Sequence, residues 1–237
     1  THEDPVLQDA NQQCGENIGR TTEALNYGVV RAGTNVLYAN GSTRAEVNSA
    51  ISITKQRAVV RALQRQKAMK ITRILSGSEF YNTSPVEAAY FAVCHTDVSS
   101  DIRELPKFIP VAEYGSRQPL CEEEIGSCED VRYILSPDLE PFADAGGAAG
   151  GNVVSTGGAA ADVYPILFFG KEAWAHIALR GGKGSGAPVS TSIIPTSMKT
   201  KDDPLGQRGY VGWKMWWAGL ITNQAWMARL EVAATQL

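Results

Sequence analysis

Histidine and cysteine, which supply many metal ligands and nucleophiles, are scarce in this chain. It has 3 His and 4 Cys among 237 residues. The cysteines lack the paired close spacing of zinc sites, and no group of histidines defines a metal site. They are Cys14, Cys94, Cys121 and Cys128. We therefore predict no metal and no cofactor. Reduced thiols are the expected state, with a disulfide between Cys121 and Cys128 across a hairpin as the alternative.

Long apolar runs and a large net charge are also missing. The longest apolar stretches are AAYFAVC at 88–94 and PILFFG at 165–170. Both fall short of the roughly 18 residues that a membrane-spanning helix needs. A formal net charge of -3 gives no general attraction for nucleic acid or anionic membranes. The sequence therefore predicts a globular protein without a membrane partner.

No motif provides a convincing active site. Cys94 and His95 have the residue types of a thiol nucleophile and its base, but neighbours on one strand point to opposite faces. GGKGSG at 181–186 lacks the Ser or Thr that follows Lys in a phosphate-binding loop. The acidic run at 121–124 is expected to be solvated. We predict no catalytic residues; a thiol-dependent hydrolase using Cys94 and His95 remains the enzymatic alternative, which requires a reactive Cys94.

Two helices are predicted near the start of the chain. Apolar residues recur at helical spacing from Asp4 to about Ala32, with Asp4 as a cap and Pro5 in the first turn. A second helix over 54–70 carries six cations and no acid: Lys55, Arg57, Arg61, Arg65, Lys67 and Lys70. Charges of one sign repel, so this helix needs an acidic partner or an anion. A solvated or intersubunit face and a nucleic-acid-binding module using residues 55–73 are the two interpretations.

The middle of the chain mixes strands and short helices without regular alternation, which favours the α+β class. AAYFAVC is typical of a buried strand, and PLCEEEIGSCEDVRYIL at 119–135 predicts two strands joined by a turn at Gly126 and Ser127. Residues 143–161 are rich in Gly and Ala and are predicted to form a flexible loop. Strands are also expected in DVYPILFFGKEAWAHIAL at 162–179 and in VSTSIIPT at 189–196.

Four of the five tryptophans fall within residues 209–231, namely Trp213, Trp216, Trp217 and Trp226. Glycines disfavour a helix there, and TNQ at 222–224 provides a turn, so we predict a C-terminal β-hairpin. Strand alternation places Trp213 and Trp217 on one face and Trp216 on the other, together with Tyr210 and Leu220. We interpret these aromatic residues as core or interface residues and expect the face of Trp216 to be exposed.

Several blocks of sequence occur in an order that resembles the major capsid proteins of tailed bacteriophages and prophages. They are THEDPVL, AGTNVLYANG, AAYFAVCHTDVSSDIREL, FIPVAEYGS, EIGSCEDVRYILSPDL, DVYPILFFGKEAW and DPLGQRGYVGWKMWWAGLITNQAWMARLE. Within that group the chain is most similar to the branch named after the coat of coliphage N-four. The resemblance spans nearly the whole chain.

The resemblance implies the Hong Kong 97-type capsid fold, with a long spine helix, a mixed-sheet axial domain and a peripheral domain. On this basis residues 1–75 form a peripheral-type domain, 76–200 an axial-type domain, and 201–237 strands that return to the peripheral-type domain. Members of this group carry an N-terminal arm and an extended loop before the spine helix. The chain begins at that helix and is therefore expected to be a C-terminal fragment that lacks both.

The implied function is mechanical, with no enzyme activity. Subunits would assemble in the bacterial host cytoplasm into hexamers and pentamers of a virion capsid around DNA. Expected partners are other copies of the chain, packaged DNA by non-specific proximity, and possible scaffold, portal and maturation protease proteins. The complementary charge runs suggest intersubunit contacts between Arg57, Arg61 and Arg65 and the acidic run Glu122, Glu123 and Glu124.

Overall fold

The computed structural model describes residues 6–71, 88–115, 119–178, 189–195, 198–199, 201 and 203–237. The chain divides into two compact units. Unit 1 comprises 1–28 and 175–220, and unit 2 comprises 29–174 and 221–237. These bounds differ from those of the domains expected from the resemblance. The expected domains are defined by their positions in a capsomer and stay a prediction. No helix among the described residues is both long and apolar enough to cross a membrane.

The described elements are three α-helices, four short 3-10 helices and eleven strands, an α+β arrangement. The helices are α1 (Val6–Arg31), α2 (Ile53–Arg65) and α3 (Ser99–Arg103). The strands are β1 (Val36–Tyr38), β2 (Tyr90–Cys94), β3 (Phe108–Pro110), β4 (Glu124–Cys128), β5 (Val131–Leu135), β6 (Tyr164–Phe169), β7 (Trp174–Ala178), β8 (Val189–Ile194), β9 (Tyr210–Met215), β10 (Trp217–Ile221) and β11 (Met227–Val232). The predicted long helix is confirmed from Val6 onward; the predicted cap at Asp4 and Pro5 lies outside the described residues.

Unit 2 is built on a seven-stranded mixed sheet with the order β1-β11-β6-β2-β5-β4-β3. Two of its pairings are parallel, β1 with β11 and β2 with β5, and the other four are antiparallel. The central strands β2, β6 and β11 are buried along almost their whole length; β2 and β6 are apolar, as strands covered on both faces usually are, whereas β11 also carries Arg229 and Glu231. The largest fully buried apolar side chains of the core are Leu63, Tyr90, Ile102, Tyr133, Tyr164, Ile166, Leu167, Phe168, Met227 and Leu230.

Helix α2 packs on this core through Val59 and Leu63, both fully buried. Ser52 caps its first turn by accepting a bond from the Lys55 amide. The helix ends at Arg65, earlier than the sequence predicts, because Lys67 adopts a positive φ of 56° and the Ala68 amide donates back to the Leu63 carbonyl.

A buried charged network lies in the same sheet. The Glu231 side chain is fully buried and receives two bonds from Arg44, at 2.8 and 2.7 Å. Arg229 Nε lies 2.9 Å from Glu231 Oε1. The guanidinium carbons of Arg31 and Arg44 lie 3.7 and 3.5 Å from the centroid of the Phe142 ring. The two cations therefore hold Phe142 at the start of the Gly- and Ala-rich segment.

The prediction that residues 143–161 form a flexible loop is wrong. Bridges join Phe142 to Val163 and Ala148 to Ala160, and the Gly146 amide donates to the Ala161 carbonyl. A small cluster of Ala149, Val153, Ala161 and Ala233 is buried. The absence of side-chain bulk is what permits this packing: a Cβ on Gly146 would lie 2.3 Å from the Val47 carbonyl oxygen.

The turn predicted at Gly126 and Ser127 is also misplaced. Both residues lie within β4, and the turn to β5 occurs at Glu129 and Asp130, where Glu129 has a φ of 53°. Gly126 allows close approach of β3, since a Cβ there would lie 2.4 Å from the Ile109 carbonyl oxygen. The glycine marks a strand contact, which sequence alone does not distinguish from a turn.

The predicted C-terminal β-hairpin does not form. β10 pairs with β7, whereas β11 pairs with β1 and β6 in the large sheet. Between them Gln224–Trp226 form a 3-10 turn capped by the Asn223 side chain. TNQ therefore does separate two extended runs, but the chain passes from unit 1 to unit 2 there. Long-range pairing outweighs the local hairpin pattern.

Unit 1 contains most of α1 and two two-stranded ribbons, β8 with β9 and β7 with β10. β8 and β9 are antiparallel, with Val189 opposite Met215 and Ile194 opposite Tyr210. The strand predicted over 189–196 is confirmed from Val189 to Ile194. Two-stranded ribbons are marginal in water unless something packs on them, and in unit 1 that element is α1.

Candidate functional site

Helix α1 covers one face of β9 and β10. Trp217 Nε1 donates to Asn26 Oδ1 over 3.0 Å, and Thr22 Oγ1 lies 3.5 Å from Met215 Sδ. Trp213, Met215 and Trp217 are all half-buried. Strand alternation predicts this grouping, because residues two apart share a face.

Three large side chains of this segment are exposed: Tyr210, Trp216 and Leu220 remain 62%, 51% and 46% accessible, respectively. The expected exposure of Trp216 is thus present in the structure. Lys214 Nζ lies 4.7 Å from the Trp216 ring centroid, a cation–π contact that orients the indole. Tyr210 lies against Gly212, where an added Cβ would be 2.7 Å from the Tyr210 hydroxyl.

Trp226 has a different environment from the other three tryptophans. It belongs to unit 2, packs against the main core and donates from Nε1 to the Gln66 carbonyl over 3.0 Å. The tryptophan-rich segment is therefore two structures: a ribbon in unit 1 and an anchor on the core of unit 2.

A cavity of about 870 Å³ lies in unit 1 between the first turns of α1 and β9. Apolar side chains, including Val6, Ala10 and Trp213, make up most of its wall. Cys14 also lines it. The described residues that line it include no acid–base pair, and they favour apolar contact.

Four cations of α2 and of the residues that follow it divide into two sets. Arg57 donates to both Glu129 oxygens at 2.5–3.2 Å, and Lys70 Nζ lies 2.7 Å from Asp130 Oδ1. The Arg57 hydrogen bonds hold the pKa of Glu129 below its ordinary value. Arg61 and Arg65 are exposed, and no acidic side chain among the described residues forms an ion pair with either.

The acids of the turn at Glu129 and Asp130 were not identified from the sequence as partners of α2. The only available signal was opposite charge, which does not specify which acid lies nearby. Both residues lie in the short turn between β4 and β5, which is held beside α2 by the hydrogen bond of 2.8 Å from Gln56 Nε2 to the Cys128 carbonyl oxygen.

The acidic run Glu122–Glu124 also divides. Glu122 and Glu123 are exposed, whereas Glu124 is buried. The Glu124 carboxylate accepts from Tyr114 Oη and from the Leu120 amide, each at 2.6 Å, and lies 3.4 Å from Arg132 Nη1. Burial, together with the bond to Glu124, raises the pKa of Tyr114 to about 12. Glu124 therefore has partners within its own chain.

The environment of the Cys94 thiol disfavours a catalytic role. Cys94 is fully buried and its Sγ donates to the Ile134 carbonyl over 3.6 Å. Burial raises the pKa of Cys94 far above its ordinary range, which disfavours the thiolate. The neighbouring His95 ring accepts from the Asp97 amide and lies 3.3 Å from the Asp97 carboxylate.

We expect Cys94 to resist alkylation in the native protein. Iodoacetamide at pH 8 should label it at least about 100-fold more slowly than the half-buried Cys14, since only exposed thiolate reacts. Mass spectrometry of digests quantifies both sites, and labelling in urea, where they should react equally, is the control. Labelling of native Cys94 as fast as Cys14 would contradict the buried-thiol interpretation.

Metal binding has no support in the part of the chain that the structure describes. Within those residues no group of three or more His, Cys, Asp or Glu side chains could hold an ion. All four cysteines are free thiols, with Cys94 and Cys128 buried.

Known proteins provide a further comparison. No protein-family profile matches the chain. A protein named major capsid protein, from Pseudomonas phage KPP21, is 20% identical over 189 residues. The match covers 73% of this chain and 46% of that protein, so the chain spans less than half the length of this relative.

Solved structures with the same fold come from three different phages. The head structure of Helicobacter pylori bacteriophage KHP40 matches with a TM-score of 0.58 and 11% identity, covering 97% of this chain and 68% of the other. The capsid structure of cyanophage P-SCSP1u matches with a TM-score of 0.53 and 13% identity, covering 99% of this chain and 68% of the other. A structure from Mycobacterium phage Che8 matches with a TM-score of 0.53 and 10% identity, covering 93% of this chain and 61% of the other. The mixed α+β fold of this chain is thus one found in phage head structures.

Proposed function

We propose that this chain is part of a bacteriophage major capsid protein, a structural subunit that assembles with copies of itself into a virion shell enclosing DNA. The observation that carries the proposal is the fold match over 93–99% of the chain to structures from three phages. A shared fold does not by itself establish function. The sequence similarity to a protein named major capsid protein gives independent support.

The finer assignment is to the Hong Kong 97-type arrangement and the branch of coliphage N-four. In that arrangement α1 is the spine helix, and its length of 26 residues and continuity support this role. The strands β2 to β6, which lie within residues 76–200, would then belong to the axial-type domain. Packaged DNA, scaffold, portal and maturation protease are the partners such a subunit would meet during assembly in the host cytoplasm.

Fewer residues are available for the proposed intersubunit contact between opposite charges than the sequence suggests. Arg57 and Glu124 are engaged within the chain, which leaves Arg61 and Arg65 on one side and Glu122 and Glu123 on the other. We place these four side chains in a contact between neighbouring copies. One exposed ion pair contributes only about 0–1 kcal/mol, so the effect depends on repetition over many interfaces.

Electron microscopy of the protein expressed from the complete reading frame that contains this chain tests the function. Shells, tubes or capsomers are the expected result. Persistent monomers at all concentrations would overturn the proposal.

Charge reversal tests the narrower contact. Arg61→Glu with Arg65→Glu should abolish or sharply reduce assembly at physiological salt, because like charges would face each other. Adding Glu122→Arg and Glu123→Arg should restore it. Reversal of Lys171, an exposed cation in another part of unit 2, is the matched control and should have little effect. Undiminished assembly of the double arginine variant would remove this contact from the proposal.

A further inference from the structure

Asn40 and Gly41 form the only Asn-Gly pair in the sequence. Such a pair is chemically reactive, because glycine has no side chain to keep its own amide nitrogen from the preceding asparagine. That nitrogen attacks the asparagine Cγ and closes a succinimide ring; the amide proton passes through solvent to the departing nitrogen, and ammonia leaves. Water then opens the ring and produces aspartate or isoaspartate. The structure determines when this reaction can occur at Asn40.

Gly41 presents the attacking nitrogen. The residue is exposed, and its amide has no hydrogen-bond partner among the residues that the structure describes. Gly41 adopts a φ of 68°, and a Cβ there would lie 2.4 Å from Glu46 Cβ. The turn therefore requires glycine, which is also the residue that makes the preceding asparagine most open to attack.

The Asn40 side chain is held by three hydrogen bonds. Its Nδ2 donates to the Glu46 carbonyl oxygen over 2.7 Å and to Asn48 Oδ1 over 2.9 Å. Its Oδ1 accepts from the Asn48 backbone amide over 3.0 Å. One backbone acceptor and one backbone donor thus fix which end of the amide carries the oxygen.

These bonds oppose ring closure. A succinimide ring requires rotation about the Cα–Cβ bond of Asn40, away from a staggered arrangement. That rotation carries the side-chain amide away from Glu46 and Asn48, so the hydrogen bonds must break first. Closure of the ring therefore competes directly with the native contacts of the side chain.

The backbone on both sides of this segment is anchored. Before it, the Ala39 amide donates to the Glu231 carbonyl oxygen over 2.9 Å. Near its end, the Val47 carbonyl oxygen accepts from the Gly147 amide over 2.9 Å. Breaking the Asn40 bonds is therefore a local opening between fixed ends, which costs much less than global unfolding.

We propose that Asn40 is a latent deamidation site, which the fold keeps unreactive until the bonds between Asn40 and Asn48 break and the Gly41 amide attacks. The aspartate product carries a carboxylate, which cannot donate to the Glu46 carbonyl or to Asn48 Oδ1, so the original contacts do not re-form. Modified chains therefore accumulate with the time that the segment spends open. This inference is independent of the proposed function.

The rate of modification at Asn40 provides the test. The protein expressed from the complete reading frame is incubated at pH 8, either native or unfolded in guanidinium chloride. Mass spectrometry of digests follows the replacement of the amide by a carboxylate and the appearance of isoaspartate. We expect the native rate to be at least about tenfold below the unfolded rate, because several hydrogen bonds separate the closed from the reactive form.

Two variants identify the contacts that protect the site. Asn48→Ala removes an acceptor of Asn40 Nδ2 and should accelerate the native reaction several-fold. Ser42→Ala is the matched control: its hydroxyl lies in the same segment, 3.2 Å from Glu46 Oε2, and makes no contact with Asn40. The control should react like the parent. Circular dichroism checks folding, and equal rates in guanidinium chloride show that neither substitution alters the chemistry itself.

Four results would overturn the inference. They are absence of modification at Asn40 in the unfolded chain, equal rates in the native and unfolded parent, a native Asn48→Ala variant that reacts no faster than the parent, and equal acceleration by Ser42→Ala. The first two use the parent alone and do not depend on how well a variant folds. Slow native reaction that Asn48→Ala accelerates and Ser42→Ala does not is the result that supports it.

Discussion

Replacing Glu231 by glutamine is expected to lower the free energy of unfolding by about 3–5 kcal/mol, the cost of breaking a buried ion pair. Glu231 is fully buried and binds Arg44 through two hydrogen bonds, with Arg229 Nε at 2.9 Å. A neutral amide would leave Arg44 and Arg229 without this compensating charge. Urea unfolding followed by circular dichroism measures the change.

The control for this prediction is Glu129→Gln. It removes the partner of Arg57, but both of those side chains are partly exposed to water. Water replaces most of the lost interaction at such a site, so the effect on unfolding should be much smaller. Equal losses for the two variants would show that burial does not determine the strength of the Glu231 network.

Raising the pH from 8 to 11 is expected to destabilise the fold by about 5 kcal/mol, a large part of a typical domain's stability. Burial raises the pKa values of Cys94, Tyr133 and Tyr164, with a further contribution from Asp97 at Tyr164. The unfolded chain releases these protons near their ordinary pKa values of about 8.5 for Cys and 10 for Tyr, whereas the native protein retains them. Stability is therefore fully present below about pH 8.5 and declines as the pH rises.

Urea midpoints between pH 8 and pH 11 give the slope of this decline. Tyr164→Phe removes one of the ionising groups and also the 2.8 Å bond from Tyr164 to Asp97. It should lower stability at pH 8 but flatten the decline above pH 10. A slope identical to that of the parent protein would show that Tyr164 ionises equally well in the folded and unfolded states.

Local sequence signals predicted the elements that depend on local structure. The spacing of Ala10, Cys14 and Ile18 predicted α1, and the apolar run through Tyr90 and Cys94 predicted β2. Alternation also separated Trp217, which faces α1, from the exposed Trp216. In each case the signal is the spacing of side chains within one helix or one extended run.

Long-range pairing accounts for what the sequence did not reveal. Nothing near TNQ indicates that β10 pairs with β7 while β11 enters a different sheet between β1 and β6. The small residues around Gly146 give the same composition whether a segment is mobile or closely packed. The partner of Arg57 likewise depends on where the β4–β5 turn lies in space. Such contacts become identifiable only when the topology is known.

The position of β11 has a consequence for biosynthesis. It comes last in the sequence among the described strands, yet it lies between β1 and β6 and pairs with both. Until the ribosome has made Met227–Val232, the emerging polypeptide has two unsatisfied strand edges and an open core. A polypeptide that ends before β11 therefore keeps unpaired strand edges, and such edges make an incompletely folded chain prone to aggregation.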